Sequence, residues 1–217
     1  KIEAYEAIPF NAALLDEAIA LGEAASVDPQ RLDMLFLGRA RVSGLRYQHL
    51  EQIRAVEMAL ALLTEDDESV AATLARSTAA AAYSAMEGER ERSQEFLFRV
   101  ASYLERLPYA QGLWRVYGRV FDMHLRARDP TEAMRWLHLL ETKATAAGDL
   151  EGQAHAAHRR GRALDEGGRL RAAIPHYRRA VEITRRMSNA NLLHYHLFWL
   201  GYRLLSLGET AEAAQQA

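Results

Sequence analysis

Seven of the eight histidines lie between His124 and His196. His155 and His158 are three residues apart, so on a helix they share one face. Two imidazoles on one face could hold zinc if a third ligand, such as Asp165 or His194, came from elsewhere in the fold. Such a pair more often lines a groove or packs in a core, so neither a metal nor a cofactor is expected. Glu65-Asp66-Asp67-Glu68 could attract a cation, but it lacks the ligand spacing and turn glycine of a calcium loop. It reads instead as acids stabilising a helix N-terminus. Nine arginines crowd between Arg159 and Arg186 and could touch phosphates. They spread over two helices and point several ways, and no helix-turn-helix pattern accompanies them, so direct nucleic-acid binding is not expected. No glycine-rich phosphate loop, nucleophile elbow or metalloprotease motif is present. Trp114, Trp136 and Trp199 each fall inside a helical segment, as core or groove residues rather than a cofactor box. The chain is read as a binding protein and not an enzyme.

The elements that must position these side chains repeat every 40 residues. Stepping back by 40 from Gly208 gives Gly168, Arg128, Gly88 and Gln48, mostly turn residues. The column from Ala213 runs Ala173, Ala133, Ser93, Ile53 and Ala13, mostly small. A third column, Ala180, Leu140, Val100, Leu60 and Ala20, is wholly apolar. A fixed period in this range marks a solenoid built from one copied helical hairpin. The punctuation agrees. Asp129-Pro130-Thr131-Glu132 is a helix start, with Asp129 as cap, Pro130 in the first turn and Glu132 placed for a capping box. Gly148-Asp149, Gly167-Gly168 and Leu207-Gly208 close helices, because glycine takes the left-handed conformation a helix end needs. The spacing predicts about eleven helices, near 11–25, 29–46, 48–63, 67–86, 89–106, 109–127, 130–147, 150–166, 169–186, 190–206 and 209–217. Every linker is short, so neighbours are antiparallel. The expected architecture is all-α, a right-handed superhelical array of hairpins forming one domain over residues 1–217.

Composition bounds the rest. The chain has 217 residues, 49% hydrophobic and 26% charged, which excludes a disordered chain. The longest charge-free runs, Ser77–Met86 and Met187–Tyr202, are too short or too polar to cross a bilayer, so no membrane partner is expected. There is no cysteine, which fits a reducing compartment and a cytoplasmic location. The chain opens on Lys1 and its last motif stops at Ala217, so a fragment of a longer protein is expected. Residues 1–88 carry 14 acids and 7 bases, whereas residues 150–187 carry 4 acids and 9 bases. That asymmetry can orient a charged partner.

The segment Ala154–Met187 resembles a tetratricopeptide repeat (TPR). Gly161 and Leu164 sit on its first helix, Gly168 in the turn, and Ala173, Tyr177 and Ala180 on its second helix. Small residues at Gly161, Ala173 and Ala180 let two helices approach, and Tyr177 fills the gap between hairpins. The next copy offers Leu200-Gly201, Leu204, Gly208 and Ala213. The match thins towards the N-terminus, where Arg41 stands for Gly161, Arg128 for the turn glycine, and Ser93 and Ile53 for alanine. A 40-residue spacing exceeds the family's usual length of about 34 and is similar to the longer-helix arrays of MalT-like transcriptional regulators.

The resemblance implies that the first helix of each hairpin lines a groove. Carried over, it implies a smooth zone at Ala75, Thr78, Ala82 and Ala85 and a cationic zone at Arg115, Arg119, Asp122 and Arg126. A mixed zone follows at His155, His158, Arg159, Arg162 and Asp165, and an aromatic end at Tyr195, Phe198 and Tyr202. Arginine can grip a carboxylate with two parallel hydrogen bonds, and the rings would anchor. The expected partner is a protein or peptide of acidic character, bound by a scaffold or by the sensor domain of a bacterial regulator. The alternative is a small-molecule effector domain of a transcriptional activator. The family's peptide-carboxylate clamp also uses asparagine, and none stands at the matching places. Self-association is a further expectation, a homodimer formed through the terminal hairpin by Leu200, Leu204 and Leu205.

Overall fold

The computed structural model describes residues 12–25, 35–40, 42–43, 49–64 and 66–216. Ten helices are bounded among them: α1 (Ala12–Ala24), α2 (His49–Ala61), α3 (Val70–Ser84), α4 (Arg90–Leu104), α5 (Leu113–Arg126), α6 (Pro130–Ala146), α7 (Leu150–Glu166), α8 (Leu170–Arg185), α9 (Ala190–Ser206) and α10 (Thr210–Gln216). Residues 35–40 and 42–43 are also helical; the rest of the helix expected over 29–46 lies outside the described residues, as do Arg41, Gln48 and Glu65. No strand occurs among the described residues, and no described helix is long and apolar enough to cross a membrane. The chain forms two compact units, Lys1–Pro108 and Tyr109–Ala217.

The turns explain the period. Gly88, Arg128, Gly168 and Gly208 all take positive φ, at 83°, 59°, 74° and 78°. At Arg128 the Asp129 amide donates to the His124 carbonyl and the Arg128 amide to the Leu125 carbonyl, which is the double bond of a Schellman close. The same pair of bonds closes α6, α7 and α9 at Gly148, Gly168 and Gly208. Arg128 does this without glycine's freedom and so carries strain. The next helix starts at once: Asp129 accepts from the Glu132 amide at 3.1 Å, and Asp149 from the Gly152 amide at 3.0 Å. Two starts fall three or more residues later than expected, each for a local reason. Ser69 caps α3 by accepting from the Ala72 amide, so that helix begins at Val70 and not at 67. Gly112, at φ 90°, breaks the backbone ahead of α5, which begins at Leu113 and not at 109.

In unit Lys1–Pro108, α2 packs on α3 and α3 on α4. Its core joins Ile19, Phe36, Leu37, Ala59 and Ala75, beside Ala40, Ala55, Val56, Ala79 and Tyr83. In unit Tyr109–Ala217, each helix packs on the next, and α5 also packs on α7. Gly161 earns its place: a Cβ there would meet the Tyr177 ring at 3.1 Å. The small and apolar columns hold from Ser93 and Val100 onwards, all buried, but Ala13 and Ala20 at the N-terminal end are exposed. Ser93 fits an alanine site because its hydroxyl donates to the Ala80 carbonyl at 2.7 Å.

Two sequence expectations are corrected here. Ala75 and Ala82 line no surface; both are wholly buried. Leu200 and Leu204 are unavailable to a second copy, because they form a core with Ala173, Ile174 and Tyr177; only Leu205 of that trio is exposed.

Candidate functional site

Within unit Tyr109–Ala217, α5, α7 and α9 are the first helices of successive hairpins, and their side chains interlock at a spacing near one repeat. Trp114 of α5 stacks on His155 of α7, with centroids 3.8 Å apart and planes inclined by 14°. The Arg115 guanidinium lies over the Trp114 ring, 4.3 Å from its centroid, and reaches Glu151 at 3.5 Å. Gly118 is a cradle: a Cβ on it would overlap the Arg159 guanidinium. Asp122 serves two cations, Arg162 at 3.0 Å and Arg159 at 3.8 Å. Arg162 also binds Glu166 at 2.9 Å. Arg159 is thus nearly enclosed, holds its carboxylate only at long range, and keeps a buried Nε with no hydrogen-bond partner.

Charge is crowded here. Burial lowers Arg119 to about 10, and Arg115 and Arg159 add to the shift while Asp122 opposes it. Arg159 is lowered by burial too, against the pull of Asp122. Burial also works against Arg162, but Asp122 and Glu166 outweigh it and its pKa rises.

The histidines form a second layer. His155 faces His196 at 5.4 Å, and His158 faces Tyr195 at 5.1 Å, His196 at 5.3 Å and Trp199 at 5.9 Å. The His158 Nε2 lies 3.2 Å from the Tyr195 hydroxyl. The Thr184 hydroxyl spends its only hydrogen on the Ala180 carbonyl, so at 2.8 Å it must accept from His196 Nδ1–H. That leaves His196 Nε2 unprotonated, buried and without a partner. Burial lowers all three imidazoles, His196 to about 4, with nearby arginines reinforcing the shift, so they are neutral at neutral pH. The third zinc ligand considered for His155 and His158 is not brought to them. Asp165 is bound to Arg203 at 2.6 Å, and His194 lines a groove between α9 and α10. Among the described residues no group of three side chains is arranged to hold a metal.

The structure therefore brings together Arg115, Arg119, Asp122, His155, His158, Arg159, Arg162 and Tyr195. Asp165 joins through Arg203, whose guanidinium lies 4.9 Å from the Tyr202 ring. Phe198 and Tyr202 stack on one another at 6.3 Å and 6° on α9, both exposed. Arg126 is exposed in the last turn of α5 and takes part in none of these contacts. Reading single helix faces misses Trp114, Gly118, Glu151, His196 and Arg203. A signal for most of them exists, because contacts between first helices fall near one repeat: Trp114 with His155, Gly118 with Arg159, Asp122 with Arg162 and His155 with His196.

No protein-family model matches the chain, and no curated protein matches it. Solved structures do. The chain is similar to BtubC (BKLC) from P. vanneervenii, at 14% identity and TM-score 0.67, over 94% of this chain and 84% of that one. It is also similar to the nearly identical TPR-like repeats of a kinesin light chain-like protein from Podosopora anserina, at 18% identity and TM-score 0.61, over 87% of this chain and 92% of that one. The apo form of RapI matches at 15% identity and TM-score 0.61, over 93% of this chain and 56% of that one. At these identities the likeness is one of fold. The chain has the all-helical, TPR-like repeat fold.

Proposed function

We propose that this chain is a protein-interaction scaffold whose unit Tyr109–Ala217 takes an acidic peptide on the face of α5, α7 and α9. One observation carries the reading: the Arg159 guanidinium is lodged over Gly118 beside Arg115 and Arg119, with a buried Nε lacking a partner and only a shared, long-range carboxylate. A buried cation with incomplete pairing is costly, and a ligand carboxylate held by the neighbouring Arg115 and Arg119 lowers that cost through space. The stacked Trp114 and His155 rings fix the helices that carry these arginines. The reading extends to a cytoplasmic sensor domain of a bacterial regulator, in which the bound peptide is the signal.

Arrays of acidic and neutral peptides, followed by fluorescence anisotropy, test it. Acidic peptides should bind and weaken as salt rises, since the contact is ionic. Arg115→Glu and Arg119→Glu should each weaken binding by about tenfold or more, as loss of a charge-assisted contact does. Binding untouched by both reversals would remove this face from the account. A compact anionic effector is the second reading, favoured by the closeness of the stacked Trp114–His155 pair to the arginines. A thermal-shift screen with small anionic metabolites separates the two, because a tight small ligand raises Tm by mass action.

A further inference from the structure

Four positions, followed through the three first helices in steps of 40, show where the stack is open. Arg115, Gly118, Asp122 and Leu125 on α5 correspond to His155, His158, Arg162 and Asp165 on α7, and to Tyr195, Phe198, Tyr202 and Leu205 on α9. On α5 and α7 six of these eight positions meet the next first helix. Arg115 pairs with Glu151, Gly118 lies under Arg159, and Asp122 binds Arg162. His155 packs on His196, His158 on Trp199, and Asp165 binds Arg203. On α9 the same positions are apolar or aromatic and open, with Tyr195, Phe198, Tyr202 and Leu205 exposed by 41%, 59%, 50% and 56%.

A groove of about 480 Å³ runs beside them between α9 and α10, lined by Leu197, Phe198, Gly201, Tyr202, Leu205 and Ala213. One repeat earlier, the matching surface of α7 and α8 is where α9 seats. Leu200 and Leu204 are buried there against Ala173, Ile174 and Tyr177, with Leu193 and Leu197 packed alongside. The occupant of that earlier seat is therefore known. It is a helix with leucine at i, i+4, i+7 and i+11, the spacing of one apolar helical face.

We propose that the α9–α10 groove docks an amphipathic helix of a partner protein, seated in the register of one more repeat and presenting large aliphatic residues at i, i+4, i+7 and i+11. Continuity of the repeat interface is the argument. The seat is formed, its contact positions are apolar, and no carboxylate or guanidinium lines it. This is helix-in-groove recognition, distinct in chemistry from the arginine face and set on the α9–α10 side of α9, away from the arginines of α5 and α7. Because the contact is apolar, its affinity should be insensitive to salt.

The probe is a fluorescein-labelled, stapled amphipathic peptide of about five helical turns, with leucine at those four positions and alanine, glutamate and lysine elsewhere. A scramble of the same composition is the control. Anisotropy with the full chain should show saturable binding of the patterned peptide and binding at least about tenfold weaker for the scramble. Phe198→Glu and Tyr202→Glu should each weaken binding by about tenfold or more, as loss of an aromatic anchor does, with helicity and cooperative melting retained because both side chains are exposed. Equal binding of the two peptides, or binding unchanged in both variants, would overturn the proposal. So would sedimentation showing a dimer that both variants dissociate, which would assign the groove to a second copy. Arg115→Glu should leave this binding intact, so a failed acidic-peptide test and a failed groove test read separately.

Discussion

Helix α3 in unit Lys1–Pro108 and helix α5 in unit Tyr109–Ala217 are register equivalents, 40 residues apart. Leu74, Ala75, Ala79 and Ala82 on α3 become Trp114, Arg115, Arg119 and Asp122 on α5. On α3 the alanines vanish into apolar packing, Ala75 against Ile19, Phe36 and Leu37, and Ala79 against Val56 and Tyr83. On α5 the same positions hold guanidinium groups and a carboxylate against α7. Register decides which neighbour a position meets. Residue type then decides whether the meeting is inert packing or a charged, partly satisfied surface.

Acid should separate the two units most. His158 and His196 are almost wholly buried in unit Tyr109–Ala217. The unfolded chain takes up protons near the ordinary value of 6.5, while folded His196 waits until about 4. Between those values the unfolded state binds more protons, so stability falls as pH falls, by about 2 kcal/mol per such histidine at pH 5. All three tryptophans lie in this unit, so denaturant unfolding followed by tryptophan fluorescence reads it selectively. An unchanged midpoint at about pH 5 would break the contrast, because the shifted histidines demand a loss.

Filling the Gly118 cradle comes next. Gly118→Ala forces the Arg159 guanidinium, the free end of a flexible side chain, to move, and the overpacking should cancel most of the roughly 1 kcal/mol that alanine gains over glycine inside a helix. Gly201→Ala, at a helical glycine with open space around its Cβ position, should instead gain about 0.5–1 kcal/mol. Thermal melts should place Gly118→Ala below Gly201→Ala, and equal gains in the two variants would deny the cradle.

A smaller effect tests the turn column in both units. Arg128→Gly relieves a left-handed arginine and should stabilise by about 1 kcal/mol, whereas Gly88→Arg should lose a similar amount. Chemical denaturation of both variants compares the same turn in opposite chemical states. The smallest effect belongs to Ser93→Ala. It restores the alanine found at Ala133 and Ala173 and removes one donor to the Ala80 carbonyl, for a change of about 0.5 kcal/mol. A loss several times larger would make Ser93 more than a tolerated alanine substitute.

The period, the turns and the hairpin pairing are legible in the sequence because each rests on local rules: glycine at a positive φ, Asp129 and Asp149 as caps, and small residues where Gly161 meets Tyr177. The site is legible only in outline. Arg159 and His158 can be named from the face they occupy. That Gly118 makes room for Arg159, or that Thr184 sets the His196 tautomer, depends on contacts between helices and on how one hydroxyl spends its hydrogen. Leu200 and Leu204 misled for a related reason. A leucine stripe on α9 looks free until Ala173 and Tyr177 are known to lie beneath it.

Asp129 and Asp149 each finish one helix and begin the next, so nothing slack separates the two rods. A single inserted residue at either joint would have to break the closing bond or the opening one, and would shift the register of everything beyond it. Lengthening such a protein by small steps is therefore mechanically unfavourable. Growth or loss by whole hairpins keeps every joint intact, which makes the hairpin the natural unit for grafting, deletion or duplication in this chain.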